Sequence, residues 1–89
     1  MSWTTISKTA DAQQLHSALA QLDINQQDER GRTPLMLLIT NRRSAELVSV
    51  LLQHQPELEV SDKLGETALI KTIKFKQYEL IPSLLQAGA

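Results

Sequence analysis

The chain of 89 residues contains no cysteine. That absence removes a disulfide framework, a cysteine-ligated zinc site and a thiol nucleophile. Aromatic residues are nearly as scarce, with Trp3, Phe75 and Tyr78 the complete set. The core is therefore aliphatic, which suits packed helices. No sign of charge dominates: nine basic residues stand against ten acidic ones, a net charge of −1. A general nucleic-acid binder carries a large basic excess, so no specific nucleic acid is expected as a partner. No apolar run approaches the roughly 20 residues of a membrane span. The opening "MSWTTISKTADAQQ" also lacks the apolar centre of a secretory signal. These absences lead to the expectation of a soluble cytoplasmic protein without membrane contact.

What is present suffices for one small folded domain. Apolar residues make up 42% and charged residues 21%, a balance that folds rather than stays disordered. At this length the core is modest and stability is marginal.

The chain repeats itself. Gly31, Thr33 and Leu35 recur as Gly65, Thr67 and Leu69, and Asp28 recurs as Asp62, all at an offset of 34. Downstream, "AELVSVLLQ" parallels "YELIPSLLQ", with Glu46 matching Glu79 at an offset of 33. The extra residue falls in "TNRRSA", between two apolar segments, where a loop tolerates it. Each unit opens on an Asp-x-x-Gly turn, with Asp28 and Asp62 as Asx turn-makers and glycine accepting positive φ. Thr33 suits an N-cap and Pro34 the first helical position. The spacing predicts helices over 34–41 and 45–54, then 68–75 and 78–87. Leu47, Val48, Leu51 and Leu52 share one helical face. Pro82 falls early in the last helix and predicts a kink or a later start. Before these units, Leu15, Ala18 and Leu19 mark a helix, and "SWTTISK" reads as a shortened helix ahead of it.

Catalytic patterns are missing. His16 and His54 form no H-x-x-x-H pair and read as helix-surface residues, not metal ligands. No Gly-x-Ser-x-Gly elbow accompanies a histidine base, and the carboxylates are scattered. Gly31 and Gly65 stand singly, unlike the glycines of a phosphate loop. No enzyme, cofactor or metal is expected.

"DERGRTPL", "DKLGETAL", "AELVSVLL", "YELIPSLL" and the closing "QAGA" together resemble the ankyrin repeat. The likeness runs from about Asp11 to Ala89. It implies an all-α solenoid of stacked helix-turn-helix repeats joined by hairpin-like turns. The chain then divides as one domain, residues 1–89: an N-terminal partial repeat (1–27), a repeat (28–61) and a C-terminally incomplete repeat (62–89). Several positions depart from the family pattern. Met36 and Ile70 replace its histidine. Leu38–Ile39 and Thr72–Ile73 replace a pair of small alanines, and larger groups there should spread the helices or alter curvature. Gln55 replaces a glycine that Gly88 retains.

The resemblance further implies a non-catalytic protein–protein interaction module, binding a partner on its concave face. An inhibitor or immunity protein that occludes a cognate enzyme or toxin is the alternative. Carried onto this sequence, the hairpin-tip positions are Glu29, Arg30, Arg32, Lys63, Leu64 and Glu66. The helix positions are Thr40, Asn41, Lys74 and Phe75. Phe75 is a contact residue, or it folds under Tyr78, or it covers the open stack. Lys71, Lys74 and Lys76, with Arg30, Arg32, Arg42 and Arg43, read either as a face for an acidic partner or as solvated surface, the latter favoured by the small net charge. Trp3 reads as a packing cap. The last helix is apolar on the face a further repeat would cover. Either the chain is part of a longer protein, or this face self-associates.

Overall fold

The computed structural model describes residues 2–89. Its helices are α1 (Trp3–Thr9), α2 (Ala12–Gln21), α3 (Pro34–Thr40), α4 (Ala45–Gln53), α5 (Ala68–Lys74) and α6 (Ile81–Gln86). The described residues contain no strand. Each helix is too short to persist alone in water, so packing must hold it. Local signals still set where most of them begin. Ser2, Asp11, Thr33, Ser44 and Thr67 each place a side-chain oxygen on the amide three residues ahead. Asp11 adds a return bond from Gln14, which completes a capping box.

The helices stack in two rows. α1, α3 and α5 pack in sequence on one side, and α2, α4 and α6 on the other. Leu15, Leu35, Met36, Ile39, Val48, Leu51, Leu80 and Leu84 fill the space between them. Polar groups stitch one helix pair to the next. The Arg43 guanidinium donates to the carbonyls of Ser7 (2.9 Å) and Ala10 (2.6 Å), at the end of α1. Gln77, one repeat later, donates from Nε2 to the Ile39 carbonyl in α3 at 2.6 Å. Trp3 is buried at the open N-terminal end, and its Nε1 donates to the Asp23 carbonyl at 2.8 Å.

Two hairpin turns project from the stack. Asp28 Oδ1 accepts from the amides of Arg30 (3.0 Å) and Arg32 (2.8 Å). Asp62 Oδ1 accepts likewise from Leu64 (3.0 Å) and Glu66 (2.9 Å). Gly31 and Gly65 follow with φ of +78° and +77°, the left-handed region that glycine enters cheaply. The turns stack directly, because the Lys63 amide donates to the Arg30 carbonyl at 2.9 Å. A Cβ on Gly31 would sit 3.0 Å from that amide nitrogen, whereas one on Gly65 would meet open space.

The structure corrects the sequence reading in three places. α1 is not shortened: its seven residues equal those of α3 and α5. Helices α3, α4 and α5 each end one residue earlier than the spacing predicts. Pro82 delays the last helix, so Tyr78–Leu80 forms a 3-10 turn and α6 starts at Ile81 with proline in its first turn. Gln55 meanwhile adopts the left-handed conformation its family glycine would take, at φ 55°, as do Arg42 and Lys76 after α3 and α5.

Candidate functional site

The two hairpin tips and the C-terminal ends of α3 and α5 enclose a concavity of about 390 Å³. Its walls come from separate parts of the chain. Arg30 and Arg32 stand on the first hairpin, Lys63 and Leu64 on the second. Thr40 closes the α3 end, and Lys74 and Phe75 close the α5 end. All seven are among the positions that the resemblance implies for a binding surface. Leu64 is 71% exposed, while Phe75 is half-buried.

Three expected site residues lie elsewhere. Asn41 is committed to the seam with α1: its side-chain amide donates to Ser7 Oγ (3.1 Å) and the Leu37 carbonyl (2.9 Å). Glu66 stands behind the wall and holds its lysines. Glu29 is exposed on the first hairpin but does not line the concavity.

The floor is an ionic network of which the sequence-based site named only Glu66 and Lys74, not Asp62 or Lys71. Lys71, in the middle of α5, is buried. Its Nζ lies 2.6 Å from Asp62 Oδ2 and 2.9 Å from Glu66 Oε1. Lys74 completes the set, 3.0 Å from Glu66 Oε2. Lys71 is therefore not part of a solvated basic surface. Burial pushes its ammonium toward the neutral form, but the hydrogen bonds and charges of Asp62 and Glu66 outweigh this and hold its pKa above the ordinary value. Burial likewise works to raise Asp62. The bonds from Lys71 and from the Glu66 and Leu64 amides overcome it and leave the carboxyl below its ordinary range. Hydrogen bonds from Lys71, then Lys74, lower Glu66. On the first hairpin burial also opposes ionisation of Asp28, and the Arg32 amide, the Arg32 guanidinium (2.9 Å) and the Arg30 amide lower its pKa overall.

The other basic residues sort clearly. Arg43 is spent on α1, Arg32 pairs with Asp28, and Arg42 and Lys76 are exposed outside the concavity. Among the described residues, Arg30 and Lys63 make no ion pair and donate no side-chain hydrogen bond. The histidines are exposed with rings 5.8 Å apart, edge to face. No group of three or more potential metal ligands occurs among the described residues.

The network was hard to foresee because Asp62 and Lys71 are nine positions apart on different elements. The seam donors had a usable signal: Arg43 and Gln77 share one register, at the same offset of 34 as the turns.

Stacked helix pairs with projecting Asp-x-x-Gly hairpins define a protein-binding repeat solenoid. The chain belongs to the ankyrin repeat family: the family's model, ankyrin repeats in three copies, matches residues 6–89. Ankyrin repeats mediate protein–protein interaction. The structure is similar to one solved as part of a complex between a predatory endopeptidase from Bdellovibrio bacteriovorus and an immunity protein, with a TM-score of 0.85 and 29% identity. That alignment covers 98% of this chain and 46% of the other, so the chain spans about half the length of its structural neighbour. No curated protein sequence matches the chain. No helix is long and apolar enough to cross a membrane.

Proposed function

We propose that this chain is a non-catalytic module that seats a partner protein in the concavity between its hairpin tips and α5, and that the partner is an enzyme it occludes. The observation carrying this reading is the convergence of Arg30, Lys63, Leu64, Lys74 and Phe75 on one hollow. Uncommitted cations and an exposed leucine stand beside a half-buried aromatic ring, over a floor whose charges are already satisfied. Such a mixture suits a protein surface, where an apolar anchor supplies affinity and charges supply register and association rate. The similarity to a structure containing an immunity protein supports an inhibitory role. We place the protein in the cytoplasm and divide its repeats at Asp28 and Asp62, where the hairpins begin.

Affinity capture from a native lysate tests the reading. Wild-type protein is expected to enrich an enzyme whose activity falls as the protein approaches equimolar amounts. Arg30→Glu combined with Phe75→Ala should lose that enzyme while keeping its helical circular-dichroism spectrum. Equal capture by the double variant would rule out the concavity. Capture without inhibition would rule out occlusion.

A further inference from the structure

We infer that the segment seated in the concavity is acidic and carries one large apolar side chain. This inference rests on the concave-face reading and specifies what that face selects.

Arg32 is neutralised by Asp28, Lys74 by Glu66, and Lys71 by Asp62 and Glu66 together. Of the cations that line the concavity, Arg30 and Lys63 remain. They sit on adjacent hairpin tips, held in register by the backbone bond from the Lys63 amide to the Arg30 carbonyl. The rim therefore presents two cations with nothing to pair them. They face a hollow in which Asp62 is the only carboxylate.

Asp62 is also closed to newcomers. Oδ1 accepts two backbone amides and Oδ2 holds Lys71. Glu66 behind it is occupied at both oxygens by Lys71 and Lys74. A basic segment entering here meets two like charges and no unpaired carboxylate. An acidic one meets two unpaired donors. Specificity thus comes from repulsion as well as attraction.

The apolar requirement follows from Leu64 and Phe75. Leu64 is exposed on one wall and Phe75 half-buried on the other. A hydrated anion gains nothing from either, whereas a large apolar side chain loses water against both. A nucleic acid fits less well. Its affinity comes from many phosphates neutralised together, and two free cations on a chain of net charge −1 supply little of that.

The test titrates the folded protein with four probes and follows backbone amide shifts by NMR. The first is a short blocked peptide with one tryptophan between two pairs of glutamates. The second and third replace the glutamates by glutamines or lysines, and the fourth is a short single-stranded oligonucleotide. The glutamate peptide is expected to shift Thr40, Lys63, Leu64 and Phe75 and to bind about tenfold more tightly than the glutamine peptide. The lysine peptide and the oligonucleotide should leave these amides unmoved. Arg30→Glu with Lys63→Glu, at exposed positions, should reverse the order of the glutamate and lysine peptides. Equal binding of the glutamate and glutamine peptides would overturn the acidic preference and leave the concave reading intact. Tighter binding of the oligonucleotide, or no shift at these amides with millimolar glutamate peptide, would also overturn the inference. The concave reading itself fails separately, if the Arg30/Phe75 double variant captures the enzyme as well as wild type does.

Discussion

Gly31 and Gly65 are the same residue in the same turn, yet they carry different loads. Both hold positive φ, and alanine in that region costs about 1 kcal/mol. Only Gly31 also lies under a neighbouring turn, where a methyl group would sit 3.0 Å from the Lys63 nitrogen. Gly31→Ala should therefore lower stability more than Gly65→Ala in urea titrations, and equal losses would mean the turns are not in tight register. The conformational need was legible from the recurring Asp-x-x-Gly. The steric one was not, because the atoms that impose it lie about 30 positions away along the chain. Asn41 illustrates the same limit. Its register marked it as binding surface, but Ser7 is within hydrogen-bonding reach only in the folded stack.

At the scale of an element, α5 is tied to its own hairpin by Lys71. Replacing it by methionine would leave the buried Asp62 carboxylate without its cation, while Glu66 keeps Lys74; breaking a buried pair this way costs about 3 kcal/mol. The pH dependence has a defined sign. Asp28 and Asp62 have pKa values below the ordinary 3.8, so their contributions are fully present above that pH and vanish as it falls through their lower folded values. Lys71 lies above its ordinary 10.5, so its contribution is fully present below that pH and is lost as the pH rises through the folded value. The stability gap between wild type and Lys71→Met should be widest near neutrality and narrow below the carboxylate range. A gap independent of pH in urea titrations would mean that methionine acts through packing rather than charge. Helix starts were readable here because a cap such as Thr67 bonds an amide three residues ahead. Lys71 was misread because helical spacing places it on a face without saying what covers that face.

Across the whole molecule, equivalent positions have unequal burial. Ile39 is fully buried, while Ile73, one repeat later, is 52% exposed. Ile70 and Leu85 are exposed where Met36 and Leu52 are covered. The difference is the following helix pair, α5 and α6, which packs over α3 and α4. Ile39→Asp should therefore cost about 3 kcal/mol or more in urea titrations, because it places a charge inside the stack, whereas Ile73→Asp should cost far less. Equal losses would mean that the two positions are equally covered.

The sequence by itself determined the repeat, the caps and the turns, because each rests on hydrogen bonds and dihedral preferences that act within a few residues. The resemblance to a known repeat, carried on those turns, implied Arg30, Lys63, Leu64 and Phe75 as surface positions, but repeat position alone does not place them, since Asn41 and Glu29, the equivalents of Phe75 and Lys63, lie off the concavity. Tertiary structure alone decided which charges are spent and which remain free. Lys71 is neutralised and buried, Arg43 is consumed by the α1 carbonyls, and Arg30 and Lys63 are left at the rim. That outcome depends on distances between elements remote in sequence, and electrostatic partnership follows those distances rather than residue type.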